Sequence, residues 1–478
     1  MGRKAEREKL EDMYRSDNAE LVAVYGRRRV GKTFLIGELF KDRITFSHAG
    51  LSPLELRETH GGTPLRNQLK HFYNSLILQG MERSRCPDNW LDAFLMLELF
   101  LKSRENGGRQ LVFLDELPWM DTQKSGFMTA FEAFWNTWGC HQSHLMVIVC
   151  GSATSWMLDK LINSHGGLYN RLSCQIRLSP FNLKECEELF QHRHIKLSRY
   201  DMVQAYMTVG GIPYYLSQFA RGLSLAQNID QLFFERNAPL RDEYKRLFSS
   251  AFSQPEEMMR IVEVLSTRNC GYTRGEIAEK AAFTSGGGLT KALQALMESD
   301  LIIKYQPFGV SKNEVHYKLI DPFCQFFLKF VSGRSTLDDS FWLGNLASQQ
   351  VTAWRGIAFE NVCFQHIRQI KAALGIAGVS TTQSAWSKRS DDEEGTQIDL
   401  IISRKDNVVN MCEIKYASAD YTVNKKYERV LRNRQALLEA ELKRGIVIHQ
   451  TLITTYGLRA NEYSGIFDSV VTMDDLFL

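Results

Sequence analysis

The stretch ELVAVYGRRRVGKTFLIGELF, residues 20–40, decides the fold of the N-terminal third of the chain. An apolar run at 21–25 leads into G-x-x-x-x-G-K-T at 26–33, and an amphipathic helix follows. In this order the backbone N–H groups of the loop and of the helix N-terminus point at phosphate oxygens, and Gly31 lets them come close. The sequence therefore predicts a strand–loop–helix cradle for a nucleotide.

Two side chains of the loop have specific roles in this prediction. Lys32 is expected to reach the β- and γ-phosphates, and Thr33 to bind Mg²⁺. The spacing gives the arginine side chains of the loop no role of their own, so we expect them in solvent. The remaining cofactor-binding residues of the cradle are Gly26, Arg27, Arg28, Arg29, Val30 and Gly31.

A second strand supplies the acids that such a loop needs. RQLVFLDELPWM, residues 109–120, is an apolar run that ends in Asp115 and Glu116. Asp115 is expected to hold Mg²⁺, directly or through water, and Glu116 to orient and activate the attacking water. Because many P-loop switches lack the second acid, Glu116 favours hydrolysis over nucleotide binding alone. The alternative is two surface acids after a strand.

Four quoted segments, MGRKAEREKL, VYGRRRVGKT, FLDELPWM and GGIPYYL, resemble the archaeal-type P-loop ATPases of the extended AAA and signal-transduction-ATPase group. The resemblance implies that ATP is the cofactor. It also implies that Gly211 and Pro213 lie near the adenine, although the same residues suit a corner between two helices.

Two further residues are candidates for sensing or stabilising the γ-phosphate. A third apolar strand lies within the stretch 144–157 and ends in Gly151 and Ser152, where the group places a polar sensor. A strand-end serine is also a common helix cap. Arg171 is the candidate catalytic arginine, often supplied by a neighbouring subunit, with Arg177 nearby in sequence. The alternative for Arg171 is a surface ion pair.

The middle of the chain has two helical patterns. Residues 181–252 have helical apolar spacing and suit the lid that follows such a core. Residues 253–335 read as helix, short helix opened by Thr273, helix and β-hairpin, which is the order of a winged helix. DNA contact and pure packing both remain open for this segment. The polar candidates for DNA contact are Thr290, Lys291, Gln294, Lys304, Lys312, His316 and Lys318.

Near the C-terminus, QIDLIISRKDNVVNMCEIKYA, residues 397–417, predicts a hairpin that turns at 405–407. Folding there places Asp399 opposite Glu413, while Glu413 and Lys415 share a face and Ile414 points away. Two buried acids are costly unless a cation compensates them. Carboxylates suit Mg²⁺, and Lys415 could orient or deprotonate water and stabilise phosphate charge.

This arrangement, with Glu360 on a preceding amphipathic helix, resembles the PD-(D/E)xK nuclease superfamily. The resemblance implies that Asp399 and Glu413 are catalytic metal ligands and that Lys415 is catalytic. It also implies that Glu360 either binds the metal or supports the residues that do. Gln435 on the following helix is a weaker correspondence. Gln397 departs from the acid expected there in many relatives. The structural alternative is an ion pair within a hairpin.

The helix at 424–440 carries basic residues that suit a phosphate backbone, and the alternative is a solvated face with Glu partners. These residues are Lys425, Lys426, Arg429, Arg432 and Arg434. Net charge is only +3, so DNA binding has to come from such local patches.

The sequence thus predicts an α/β chain of five parts: a P-loop ATPase core (1–180), a helical lid (181–252), a winged helix (253–335), a linker (336–350) and a C-terminal α/β restriction-nuclease-like domain (351–478). The 9 cysteines are scattered, with no metal-ligand spacing, and we expect them reduced in a cytoplasmic protein. The N-terminus has no signal-peptide core, and no apolar run is long enough to span a membrane.

The functional hypothesis from the sequence is an ATP-hydrolysing switch that controls a Mg²⁺-dependent nuclease acting on DNA, in defence against mobile DNA or in DNA repair. One rival is a nucleotide-dependent regulator or scaffold with an inactive nuclease-like domain. A second rival is an ATPase motor in a homo-oligomeric ring, with Arg171 acting across subunits.

Overall fold

The computed structural model describes residues 2–58, 61–163, 167–168, 170–283, 286–309, 314–334, 338–388 and 396–478. The chain forms two compact units. The first, which we call the P-loop unit, comprises Arg3–Ser179 and Arg246–Pro255. The second, the C-terminal unit, comprises Pro180–Lys245 and Glu256–Leu478 together with Gly2.

The P-loop unit contains a five-stranded parallel sheet in the order β2-β3-β4-β1-β5. Its middle strands are buried throughout, as their continuous apolar runs require in a sheet covered on both faces. The strands are β1 Glu20–Tyr25, β2 Phe46–Ala49, β3 Gln110–Asp115, β4 Leu145–Gly151 and β5 Cys174–Arg177.

The helices of the P-loop unit pack against this sheet through an aromatic core. The Trp90 ring meets the rings of Phe72 and Phe127 edge-on, and the Phe46 ring of β2 packs on Phe72. The helices are α1 Lys4–Arg15, α2 Lys32–Leu39, α3 Pro53–Glu58, α4 Pro64–Leu78, α5 Trp90–Ser103, α6 Leu117–Met120, α7 Phe127–Thr137 and α8 Thr154–Trp156, with a 3-10 turn at Gly139–His141 and a π-helical turn at Met157–Ile162.

The C-terminal unit begins with helices, as the spacing of 181–252 predicts. Three of them start at a side-chain cap, supplied by Asn182, Ser198 and Ser224, whose oxygens accept the backbone N–H three residues on. The helices are α9 Leu183–His192, α10 Arg199–Val209, α11 Pro213–Leu216, α12 Leu225–Phe233 and α13 Glu243–Ala251, of which the last continues into the P-loop unit.

Three helices and a small antiparallel sheet follow, in the predicted order. The sheet order is β6-β8-β7, and Thr273 caps the middle helix in a reciprocal capping box with Glu276. Lys312 lies outside the described residues. The elements are α14 Pro255–Ser266, β6 Tyr272–Thr273, α15 Arg274–Lys280, α16 Gly287–Glu298, β7 Ile302–Tyr305, β8 His316–Leu319, α17 Pro322–Phe326 and a π-helical turn at Phe327–Val331.

The segment 336–350 is wrongly predicted as a linker throughout. Its described part contains the helix α18, Phe341–Asn345. The Trp342 side chain is buried, and the Asp230 carboxylate accepts the N–H groups of Trp342 and Leu343. The burial of Trp342 and the hydrogen bonds to Asp230 on α12 therefore stabilise structure in a stretch whose polar composition is typical of a linker.

The C-terminal sheet is mixed, with order β13-β12-β11-β10-β9: the hairpin strands pair antiparallel, whereas β11–β12 and β12–β13 pair parallel. The hairpin strands β10 and β11 therefore lie inside the sheet. The strands are β9 Thr381–Lys388, β10 Thr396–Arg404, β11 Val408–Lys415, β12 Val447–Thr454 and β13 Ser469–Thr472, and the helices are α19 Gln349–Gln365, α20 Ile367–Ala373 and α21 Lys425–Glu439, with 3-10 turns at Ser464–Ile466 and Met473–Phe477.

Two features of this region add to the predicted hairpin. The stretch at 381–388 is the edge strand β9. The helix α19 ends at Gln365, and α20 begins at Ile367. Buried His366 stands at the break, where its Nε2 accepts the Leu183 N–H at 3.1 Å and its Nδ1 lies 2.8 Å from the Val362 carbonyl.

Within the described parts of the chain, no helix combines the length and apolar character needed to cross a membrane. All 9 cysteines of the sequence are free thiols, as predicted.

Candidate functional site

The phosphate loop lies between β1 and α2. The Lys32 ammonium donates to the carbonyl oxygens of Gly26 and Arg27, at 2.9 and 3.1 Å. Gly26 is required by its surroundings, because a Cβ there would stand 2.2 Å from the Leu178 carbonyl oxygen. Gly31 has a φ of 90° and starts α2, so the turn into the helix needs a residue that tolerates the left-handed region.

The N-terminal Arg3 buttresses this loop, a role the sequence motifs did not reveal. Its side chain is buried, and Nη2 donates to the carbonyls of Val30, at 3.4 Å, and Ser179. In the sequence, Arg3 stands out only because it lies within MGRKAEREKL, one of the segments that carry the family resemblance.

The predicted metal residues of the loop meet across the sheet edge. Thr33 Oγ1 donates to Asp115 Oδ2 at 2.6 Å, and the backbone N–H of Glu116 donates to Asp115 Oδ1 at 3.0 Å. Burial raises the pKa of Asp115. A buried carboxylate beside a hydroxyl fits the hard oxygen set that Mg²⁺ prefers, so Thr33 and Asp115 would hold the ion that neutralises phosphate charge.

The strand order explains why Ser152 and Glu116 meet. Because β4 lies between β1 and β3, its end carries Ser152 to the acids that follow β3. Glu116 Oε2 accepts both the Ser152 backbone N–H at 3.0 Å and its hydroxyl at 2.7 Å. The serine is therefore a direct partner of the predicted general base.

The loop arginines differ from expectation. Arg27 is only 2% exposed, and Arg28 and Arg29 are half-buried, so none of the three is a fully solvated side chain. Val30 is buried as part of the loop's packing. The side chains of residues 27–30 are therefore at least partly buried in the P-loop unit, which the spacing of apolar residues does not predict.

Three predicted nucleotide residues remain, Arg171, Gly211 and Pro213. Arg171 and Arg177 are exposed. Gly211 and Pro213 belong to the C-terminal unit. There Gly211 is needed for packing, since a Cβ would stand 1.8 Å from the Phe181 carbonyl oxygen, and Pro213 starts α11. These contacts match the helix-corner alternative.

The C-terminal hairpin has the predicted register. Leu400 pairs with Cys412, which sets Asp399 opposite Glu413, and the turn uses Asn407 at a φ of 63°. Asp399 Oδ2 accepts the Ile414 N–H at 3.4 Å, and Lys415 Nζ lies 2.5 Å from Glu413 Oε1. The three predicted groups therefore converge on one face of two inner strands.

Glu413 is the most heavily bonded member of this cluster. Besides Lys415, it accepts a hydrogen bond from the Tyr427 hydroxyl on α21 and one from Arg434 Nη1 at 2.8 Å. Arg434 therefore binds Glu413 and is not part of the exposed basic face of α21. Lys425, Lys426 and Arg429 lie on that face.

The ion pair also decides between the two roles predicted for Lys415. Although burial opposes it, the charge of Glu413 raises the pKa of Lys415. The ammonium is therefore held protonated, which suits charge stabilisation and water orientation and argues against deprotonation of water by Lys415.

Glu360 joins the cluster from α19. Its Oε2 accepts a hydrogen bond from Asn269 Nδ2 at 2.6 Å, and burial and then the charge of Asp399 raise its pKa. Burial and the charge of Glu413 likewise raise the pKa of Asp399. The charges of these acids therefore affect one another's pKa values, and Asn269, in the turn between α14 and β6, holds Glu360 by a hydrogen bond.

Lys318 on β8 is wrongly predicted as a DNA contact. Its side chain is 4% exposed, and Nζ lies 4.6 Å from the centre of the Phe364 ring on α19. By contrast, Thr290, Lys291, Gln294 and Lys304 are exposed, and His316 is half-buried with Nδ1 3.2 Å from the Cys270 carbonyl.

The metal expectation for this cluster meets a specific difficulty. Across the residues that the structure describes, no three His, Cys, Asp or Glu side chains are grouped closely enough to hold a metal ion. Carboxylate oxygens are the right donors, yet both oxygens of Glu413 already have partners. Asp399 and Glu360 are thus the acids best placed to hold a hard cation.

Gln435 does not reach this cluster through its hydrogen bonds. Its Nε2 donates to Glu439, and its Oε1 accepts from Gln450 on β12, at 2.8 and 2.6 Å. Tyr427 and Asn269, which do contact the acids, were missed. Tyr427 stands among the basic residues of α21, seven positions before Arg434, whereas no sequence signal links Asn269 to Glu360 across 91 positions.

The comparisons with known proteins cover different shares of the chain. Residues 1–219 match the model of an ATPase domain found predominantly in Archaea. An uncharacterized protein of Methanocaldococcus jannaschii, MJECL04, is 23% identical over 437 residues, which is 90% of each chain.

Two solved structures match this chain with TM-scores below 0.5. The Walker-type ATPase PABY2304 of Pyrococcus abyssi is 18% identical, with a TM-score of 0.49 over 68% of this chain and 95% of its own. The ORC2 protein of Aeropyrum pernix, in ADPNP–ADP complexes, is 13% identical, with a TM-score of 0.44 over 73% of this chain and 95% of its own.

The loop, its acids and the order of the parallel sheet define the first region as a P-loop NTPase core. The family match agrees with this assignment, since residues 1–219 are similar to an ATPase domain that is found predominantly in Archaea.

Proposed function

We propose that this chain is an ATP-hydrolysing switch coupled to a Mg²⁺-dependent nuclease that cuts DNA. The ATPase domain supplies the switch. Lys32 would bind the β- and γ-phosphates, while Thr33 and Asp115 would hold Mg²⁺. Glu116 would take up the proton of the attacking water, and the Ser152 hydroxyl would position the Glu116 carboxylate, given their 2.7 Å hydrogen bond.

A single observation carries the nuclease proposal: Asp399, Glu413 and Lys415 share one face of an inner hairpin, with Glu360 beside them. A protonated lysine next to two acids suits phosphodiester hydrolysis, since it can stabilise the charge that develops on the phosphate. Mg²⁺, when bound by Asp399 and Glu360, would polarise the phosphate and lower the pKa of a water.

DNA would be held by surfaces that remain exposed. On α21 these are Lys425, Lys426 and Arg429, and on α16 they are Thr290 and Lys291. The three helices and three-stranded sheet from α14 to β8 support a winged-helix role for this segment.

A second candidate, a regulator that binds DNA without cutting it, is favoured by one observation. The described acids of the cluster, Glu360, Asp399 and Glu413, face an equal number of cations, Lys318, Lys415 and Arg434. A charge-balanced cluster can persist as a structural ion-pair network.

The test is cleavage of linear, nicked, branched and single-stranded DNA with Mg²⁺ or Mn²⁺, with and without ATP. Wild type is compared with Lys415→Ala and, as a matched lysine on an exposed surface, Lys425→Ala. We expect cleavage that is lost in Lys415→Ala and that Lys425→Ala only weakens in a salt-dependent way. Absence of metal-dependent cleavage on all substrates would favour the regulator, and equal cleavage by Lys415→Ala would identify a contaminant.

A further inference from the structure

Lys318 lies against α19, the helix that carries Glu360, but it belongs to a different part of the fold. It lies on β8, in the three-stranded sheet, whereas Glu360 lies on α19 and Asp399 on β10. All three belong to the C-terminal unit. The Lys318 ammonium is therefore brought to the acids by tertiary packing and not by sequence neighbourhood.

The geometry fixes where the ammonium lies. Its Nζ stands 4.6 Å from the centre of the Phe364 ring, and Phe364 is one helical turn after Glu360 on α19. Residues four apart share a helix face, so the ammonium and the Glu360 carboxylate lie along the same face. The charges of Glu360 and Asp399 both act on Lys318. With 4% exposure, this lysine has little water to stabilise its own charge.

A second side chain from the same region holds Glu360 in place. Asn269 Nδ2 donates to Glu360 Oε2 at 2.6 Å, and Asn361 Nδ2 donates to Gln325 Oε1 at 3.0 Å. Gln365 Nε2 donates to the Ile320 carbonyl at 2.8 Å. The acid face of α19 is thus tied by hydrogen bonds to the segment around β8 over more than one helical turn.

We propose that Lys318 is a built-in counter-cation of the Glu360–Asp399 pair, which competes with a divalent metal ion for these acids and so restrains the candidate nuclease site. This inference rests on the proposed function for its biological meaning, but the competition itself is a property of metal binding. Removing a buried positive charge beside two carboxylates strengthens their attraction for a divalent cation.

The experiment measures Mn²⁺ binding to the full chain by electron paramagnetic resonance, without nucleotide. All proteins carry Asp115→Asn, which removes a metal ligand of the ATPase domain. Lys318→Met keeps the stem that packs on Phe364 and removes the charge, and Lys304→Met is the matched control on the neighbouring strand β7, where the lysine is exposed.

We expect Lys318→Met to bind Mn²⁺ about tenfold more tightly than its parent, while Lys304→Met binds as the parent does. Adding Asp399→Asn to Lys318→Met should abolish the gain, which assigns it to this cluster. Lys318→Gln, whose amide can donate to the acids, serves as a second neutral variant in case Lys318→Met fails to fold, and the same gain is expected.

An affinity that is unchanged or lower in the folded neutral variants would overturn the proposal. Its failure is distinguishable from failure of the nuclease. A protein that cuts DNA while Lys318→Met gains no Mn²⁺ affinity refutes only the counter-cation. A protein that cuts nothing while Lys318→Met gains affinity refutes only the nuclease.

Discussion

The nucleotide site and the C-terminal acid cluster solve the same problem, buried carboxylates, in different ways. In the P-loop unit the acids are Asp115 and Glu116, and hydroxyl and backbone N–H groups of Thr33 and Ser152 satisfy them. In the C-terminal unit, Glu413 is bonded to the cationic side chains of Lys415 and Arg434. Neutral groups make these hydrogen bonds at the first site, where Lys32 contributes through its charge, whereas cationic side chains bond directly to the acid at the second site.

The difference indicates how each site responds to a metal ion. At Asp115 the hydrogen bonds come from neutral donors and the Lys32 charge acts beside them, so an arriving Mg²⁺ meets a carboxylate that is only partly compensated. Cationic partners cancel much of the charge at the C-terminal cluster, so a metal there has to compete with them. We therefore expect the first site to be the stronger metal binder.

The largest effect should come from the general base. Glu116→Gln keeps the shape of the side chain and removes its ability to accept a proton, so we expect ATP hydrolysis to fall by about 10²–10⁴-fold. ATP affinity, measured by titration calorimetry, should change little. Ser152→Ala is the companion variant: it removes one hydrogen bond to the carboxylate and should slow hydrolysis far less. An equal loss of ATP hydrolysis in Glu116→Gln and Ser152→Ala would show that Glu116 is not the general base. The contrast between the nucleotide site and the C-terminal acid cluster would then fail.

One glycine in each unit tests packing under matched conditions. Alanine at Gly26 or at Gly211 would place a Cβ 2.2 or 1.8 Å from a backbone oxygen, so the free energy of unfolding should drop by about 2–4 kcal/mol in each variant. Gly37→Ala in α2 meets no atom within 4 Å and should raise it by about 0.5–1 kcal/mol. Chemical denaturation measures all three. A Gly211→Ala protein as stable as wild type would free this residue for the nucleotide role predicted from its motif.

A pair of arginines on α21 tests the cationic support of Glu413. The Arg434 side chain is 18% exposed and bonds to Glu413, whereas Arg432 is 66% exposed and bonds to Glu428. Arg434→Met should therefore lower the free energy of unfolding by about 1.5–3 kcal/mol, and Arg432→Met by about 0.5 kcal/mol or less. Similar small losses in both would mean that Glu413 does not depend on its cations.

The smallest effect is a pH dependence carried by His366. Burial lowers its pKa to about 4, so the folded chain binds fewer protons than the unfolded chain between about pH 6.5 and pH 4. Stability from the neutral ring is present above pH 6.5 and is lost as pH falls, by about 1 kcal/mol from pH 6.5 to 5.5. His366→Gln should remove this part of the slope in denaturant titrations across that range. An identical slope in wild type and variant would exclude His366 as the cause.

What the sequence reveals depends on how far apart the cooperating residues are. The phosphate loop is contiguous, and the hairpin of Asp399 and Glu413 is nearly so; alternation and one turn signal set its register. By contrast, Lys318 and Asn269 meet Glu360 through packing between separate elements, which no local pattern encodes. For the same reason Lys318 reads as a surface charge on a hairpin although it is buried.

The failures at element boundaries have local physical causes. His366 interrupts a pattern that is helical on both sides, because its ring caps a distant N–H. The polar stretch before α19 contains a helix because Trp342 finds a buried site. In both cases a tertiary contact determines the local structure against the preference of the local sequence.

The backbone at Glu116 has a final consequence. Its φ is 46°, in the left-handed region that disfavours a side chain with a Cβ. A glycine there would relax the turn after β3 and make the fold more robust by about 1 kcal/mol. The protein thus holds a strained backbone at Glu116, the residue that we propose as the general base. Stability alone would favour glycine at this position, so the glutamate agrees with the general-base role that we propose for it.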